Sequence, residues 1–89
     1  MLKYKLFVKN MCQGCIDVEQ AFNRLKIPFE RFCMDEATGL GEAAFYNLLH
    51  GKTVEAPQMV VEEISSGEYT AFKYEEVLKF IKQMDDKLT

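Results

Sequence analysis

A chain of 89 residues has room for one domain with a modest core and none for a second. Hydrophobic residues at 48% and charged residues at 28% describe a globular chain and exclude a disordered one. A net charge of −3 has the wrong sign for a nucleic-acid backbone, and no apolar run approaches the roughly 20 residues of a membrane span, so neither is expected as a partner.

Leu2, Tyr4, Leu6 and Val8 alternate with Lys3, Lys5, Phe7 and Lys9, which is the period of a strand. The same lysines interrupt the apolar run that a secretory signal would keep, so the chain reads as cytoplasmic. The strand stops at Asn10-Met11, directly before Cys12-Gln13-Gly14-Cys15. From Cys15, the positions Val18, Phe22 and Leu25 draw one helical stripe, and Pro28 closes it. Phe29 to Met34 reads as a second strand and Asp35 to Gly41 as a polar, glycine-marked loop. A second helix follows with Ala44, Phe45, Leu48 and Leu49 on one side and a stop at His50-Gly51. After Ala56-Pro57, Met59 to Val61 form a third strand. Ser65-Ser66-Gly67-Glu68 is a hairpin connection and Tyr69 to Phe72 the returning strand. The last helix carries Tyr74, Val77, Leu78, Ile81 and Met84 on one stripe. The order is β-α-β-α-β-β-α. Two strand–helix–strand steps favour parallel pairing and the hairpin adds an antiparallel edge. The expected fold is a single α/β domain over residues 1–89, a four-stranded mixed sheet flanked by three helices.

Three cysteines are too few, and odd in number, for a disulfide scaffold; in a reducing compartment a C-x-x-C pair means redox chemistry or metal binding. Residues three apart on a helix share a face, so the sulfurs of Cys12 and Cys15 can meet. Cys12 is expected exposed at the helix start. There the unpaired N–H groups and the helix dipole favour an anion and lower the thiol pKa, with Lys9 as a further positive charge nearby. Cys15 is expected one turn in and partly covered. The roles then divide: Cys12 attacks a substrate disulfide, and Cys15 resolves the mixed disulfide that results.

The competing chemistry is metal binding. Cys12, Cys15, Cys33 and His50 would make a Cys₃His zinc set, but Cys33 falls in a strand and there is no second close pair. Soft thiolates also suit Cu(I). Val8 to Ile16 followed by Val18-Glu19 is similar to heavy-metal-associated copper-chaperone domains. Those place the methionine two residues before the first cysteine, lack a terminal helix and have no role for a proline before strand three. Redox chemistry is therefore the leading reading, with no metal ligands assigned, and a metal-binding module (Zn or Cu(I)) on the same cysteine pair is the alternative. Cys33 beside Phe32 reads as a buried, inert thiol, and His50 as a partner of a helix C-terminus.

With the motif placed, the chain resembles the glutaredoxins and, through them, the thioredoxin fold. The matching residues are Lys9-Asn10-Met11-Cys12-Gln13-Gly14-Cys15 after strand one, Thr53-Val54-Glu55-Ala56-Pro57-Gln58 before strand three, and the final amphipathic helix. The resemblance implies that Pro57 is cis and faces the cysteine pair, and that the backbone of Ala56 hydrogen-bonds an extended substrate. Lys9, Gln13 and Gly14 beside the cysteines and Phe72 on the returning strand complete the expected substrate contacts. It implies a monomer with no bound cofactor beyond its own Cys12–Cys15 disulfide, acting on disulfide-containing proteins, with glutathione or a thioredoxin reductase as electron donor. Two departures are informative. Gln13 stands where the family motif has proline, and Thr70-Ala71-Phe72-Lys73 stands where glutathione-binding members carry Gly-Gly and an acidic residue. The latter stretch is more similar to the NrdH-type redoxins, which take electrons from a thioredoxin reductase and serve ribonucleotide reductase.

Overall fold

The alternating segment at the start of the chain forms strand β1 (Leu2–Val8), and everything else is arranged around it. β1 pairs in parallel with β2 (Glu30–Cys33) on one side and antiparallel with β3 (Gln58–Glu63) on the other. β4 (Tyr69–Phe72) pairs antiparallel with β3, giving the order β2-β1-β3-β4. The structure, a computed structural model, describes residues 1–49 and 55–88. The first helix is α1 (Gln13–Arg24), the second α2 (Ala37–Phe45) and the third α3 (Tyr74–Leu88). The four-stranded mixed sheet with three helices is the expected architecture. Its pairing corrects the sequence reading at one step: β2-α2-β3 does not produce a parallel pair. The register Phe7↔Gln58 starts β3 beside the end of β1, the same sheet edge at which β2 finishes. The short helix α2 follows β2 at that edge and β3 starts from it, so β3 runs the opposite way.

With neighbours on both sides and helices on both faces, the second half of β1 has no solvent side. Leu6, Phe7 and Val8 are all fully buried. Leu6 and Val8 belong to the larger core, with Cys15, Val18 and Phe22 of α1 and Val77 and Ile81 of α3. Phe7 belongs to a second core on the opposite face, with Met34, Val60, Ala43 of α2, Tyr46 and Leu48. Period two locates the strand, but only the layers decide that both of its faces are covered.

Both short helices end by the same device. After α1, Ile27 N–H donates to the Phe22 carbonyl (2.9 Å) and Lys26 N–H to that of Asn23 (3.2 Å), with Lys26 in the left-handed region at φ 58°. After α2, Leu48 N–H donates to Ala43 (2.9 Å) and Asn47 N–H to Ala44 (3.0 Å), with Asn47 at φ 59°. These are Schellman ends, which satisfy the last carbonyls by turning the chain back. The terminator of α1 is thus Lys26, ahead of Pro28. α2 stops before the expected His50-Gly51, which lies outside the described residues.

α2 also begins earlier than its glycines suggest. Gly39 is on its inner side, where a Cβ would collide with the backbone of Cys33. Glycine here permits close approach of helix and strand and does not mark a loop. The helix is turned accordingly: Ala43 and Tyr46 face the sheet, while Phe45, expected inside, is 74% exposed. In α3, Phe80 and Met84 pack on the core beside Val77 and Ile81, and Leu78 faces out. No described helix is long and apolar enough to cross a membrane.

Lys5, placed on a solvent face by alternation, is buried instead. Its Nζ donates to the Tyr46 hydroxyl (2.5 Å) and lies 3.6 Å from a Glu42 carboxylate oxygen and 3.8 Å from one of Glu62. It also sits over the Tyr46 ring, 4.8 Å from the centroid. Desolvation pulls its pKa down, but the hydrogen bond and electrostatic pull of Tyr46, with the carboxylates of Glu62 and Glu42, outweigh this and leave it raised.

Candidate active site

The site is built where β1 gives way to α1. Asn10 fixes the connecting loop: its backbone N–H donates to the Asp35 carboxylate (2.6 Å) and its side-chain oxygen accepts from the Cys33 thiol (3.6 Å). Met11 then takes a left-handed conformation, φ 54°, which is costly for a residue with a Cβ. The turn leaves its side chain wholly exposed and brings Cys12 to the N-cap of α1 in extended geometry, φ −118° and ψ 103°.

At that position a helix normally has an oxygen accepting from the first free N–H groups. Here the acceptor is sulfur: Cys15 N–H donates to Cys12 Sγ across 3.1 Å. The first turn of α1 contains no acidic residue of its own to offset the positive end of the helix. Cys12 and Cys15 are joined as a disulfide with Cα atoms 5.3 Å apart. The two are unequal in access: Cys12 is half-buried, whereas Cys15 is 1% exposed and part of the core. Cys12 is the accessible member of the pair.

Across from the pair runs the segment entering β3. The Ala56–Pro57 peptide is cis, Pro57 is fully buried, and the Ala56 carbonyl oxygen lies 3.9 Å from Cys12 Sγ. Gln58 holds this segment from beneath. It is a buried polar side chain whose amide donates to the carbonyls of Glu55 (2.8 Å) and Leu48 (3.3 Å), satisfying both of its N–H groups. Between the segment and the cysteine loop lies an open groove of about 510 Å³, lined by Lys9, Asn10, Met11, Cys12, Glu55, Ala56 and Tyr74.

Of the residues singled out in the sequence, Lys9, Cys12 and Ala56 line this groove. Cys15 and Pro57 lie buried behind it. Gly14 is half-buried against Tyr74: a Cβ on Gly14 would sit 3.2–3.3 Å from the tyrosine's ring and hydroxyl oxygen. Gln13 is exposed and donates to Asp17 (2.9 Å), one turn along α1, so it is not a groove residue. Phe72 is not one either; it packs on Phe80, with ring centroids 6.3 Å apart. Sequence reasoning missed Tyr74, assigned to the core stripe of α3, and Met11, Asn10 and Glu55. The one available signal was Gly14 itself, a glycine in the first turn of a helix, which marks something approaching closely.

No group of three or more His, Cys, Asp or Glu is placed to hold a metal ion among the described residues. Cys33 is buried and turned to Asn10, and His50 lies outside the described residues.

No protein-family model matches the sequence, and no curated protein matches it. Solved structures do match the fold. Glutaredoxin 1 from Francisella tularensis, crystallised with cacodylate, superposes with a TM-score of 0.57 at 18% identity, over 99% of this chain and 96% of that one. A single-residue variant of the thioredoxin-like protein BC3987 superposes with a TM-score of 0.58 at 18% identity, over 86% of this chain and 96% of that one. The chain has a thioredoxin-type fold of glutaredoxin-like architecture, with its cysteine pair at the junction of the first strand and first helix.

Proposed function

We propose that this protein is a thiol–disulfide oxidoreductase that reduces protein or mixed disulfides through Cys12 and Cys15. The observation that carries the reading is the N–H of Cys15 directed at Cys12 Sγ, on a sulfur that opens into a groove. A donor aimed at that sulfur favours its thiolate over its thiol, and the thiolate is the nucleophile.

In the dithiol form, Cys12 thiolate attacks one sulfur of a substrate disulfide. A Cys12–substrate disulfide forms, the substrate S–S bond breaks, and the departing thiolate takes up a proton. Cys15, losing its proton, then attacks Cys12 Sγ. The internal disulfide forms, and the second substrate thiolate leaves and is protonated. Two electrons pass from the cysteine pair to the substrate, with one proton supplied by Cys15 and one by solvent. On this reading the Ala56 backbone, whose carbonyl oxygen lies 3.9 Å from the reacting sulfur, holds the substrate chain in extended form during both exchanges.

The disulfide must be reduced again by a donor. The departure at Thr70-Ala71-Phe72-Lys73 supports a thioredoxin reductase over glutathione, and ribonucleotide reductase as one acceptor, in the cytoplasm. The test is a pair of substitutions. Cys12→Ser should abolish reduction of a protein disulfide. Cys15→Ser should accumulate a covalent adduct with the substrate, seen by mass spectrometry as the sum of the two masses. Turnover by Cys12→Ser would remove its role as nucleophile, and absence of any adduct with Cys15→Ser would remove that of Cys15 in resolution.

A further inference from the structure

Two side chains of the groove carry exposed apolar surface. Met11 is wholly exposed and packs on nothing, yet it is held in a left-handed conformation immediately before Cys12. Backbone strain without a packing return points to a role in the site. Tyr74 opens α3, is 40% exposed, and rests against Gly14 between the two cysteines. Both line the groove in which Cys12 Sγ lies beside the Ala56 carbonyl. A substrate cysteine bonded to Cys12, with its backbone along Ala56, therefore has a neighbouring residue within reach of these two side chains. A small polar disulfide would leave both of them in water.

Resting on the oxidoreductase reading, we propose that Met11 and Tyr74 are the specificity-determining residues of this site. They seat an apolar side chain next to the substrate's cysteine, so the preferred substrates are disulfides in extended polypeptide segments with an apolar neighbour. The chemistry is the exchange already written; Met11 and Tyr74 act on which disulfide is presented to it.

The experiment uses two peptides of equal charge that differ only in having Leu or Ser beside a single cysteine, each as its mixed disulfide with thionitrobenzoate. Reduced protein attacks the peptide sulfur and releases the coloured thiol, which gives the second-order rate constant. The expected ratio of the Leu to the Ser peptide is about tenfold, the scale on which an apolar pocket discriminates. Met11→Asn keeps a residue that tolerates the left-handed conformation and removes the apolar surface; it should bring the ratio within about twofold of unity. Tyr74→Ala should do the same. Chromophore release at equal rates from both peptides, or a ratio that survives both substitutions, overturns the inference and leaves the oxidoreductase reading standing. No release from either peptide overturns that reading as well.

Discussion

The backbone N–H of Cys15 donates to Cys12 Sγ, so one member of the cysteine pair caps the helix in whose core-facing side the other is buried. The contact satisfies a free N–H of α1 and, on the proposed oxidoreductase reading, favours the thiolate of the same cysteine once the pair is reduced.

That double role separates two substitutions that are alike in activity. Cys12→Ser and Cys12→Ala should both be inactive. Serine replaces the sulfur with a preferred capping oxygen, while alanine leaves the N–H groups of the first turn without a side-chain acceptor. Urea unfolding under reducing conditions should place the alanine variant about 1 kcal/mol below the serine variant. Equal stabilities would show that the sulfur is not acting as a cap.

Two glycines of α2 should respond in opposite directions. Nothing lies within 4 Å of a Cβ placed on Gly41, so Gly41→Ala should stabilise by about 0.5–1 kcal/mol through helix propensity. A Cβ on Gly39 meets the backbone of Cys33, which cannot swing aside. Gly39→Ala should therefore destabilise by about 2–3 kcal/mol despite the same propensity gain, read as a lower urea midpoint.

The left-handed residue that closes α1 offers a stabilising change. Lys26, at φ 58°, occupies the position that glycine adopts without steric cost. Lys26→Gly should stabilise by about 0.5–1 kcal/mol, visible as a Tm rise of a few degrees. A fall in Tm would show that the lysine side chain makes a contact worth more than the strain.

Lys5 predicts a pH dependence in alkali. Its folded pKa is raised above the reference 10.5 by Tyr46, Glu62 and Glu42 acting against desolvation. A raised folded value means the ammonium's contribution is complete below the unfolded value and is lost as pH rises through the folded one. Stability should therefore be insensitive to this group through neutral pH and decline above about 10.5. In Lys5→Met that decline should be shallower, as shown by denaturant midpoints on either side of this range.

Local pattern carried further for the site than for the packing. The position of Cys12-Gln13-Gly14-Cys15 between an alternating segment and a stripe of period 3.6 placed one cysteine at a helix start and the other in its first turn. Both placements are consequences of helix geometry that need no partner element. Helix α2 was misread for the opposite reason: Gly39 inside and Phe45 outside invert what each residue does in isolation. The close approach to Cys33 sets how the helix is turned. Tyr74 was likewise read by its spacing with Val77 and Ile81, although the start of α3 overlies Gly14.

The sequence by itself determined the order of elements, the strand and helix periods, and the chemistry of the cysteine pair, because these depend on residues near one another in the chain. Tertiary structure alone decided that β3 runs antiparallel to β1, that Lys5 and Phe7 are buried, and that Met11 and Tyr74 line the groove beside Cys12. Those outcomes rest on contacts between segments far apart in sequence, such as Gly14 with Tyr74. Such contacts are fixed by which surfaces must leave water together, and no local pattern encodes that.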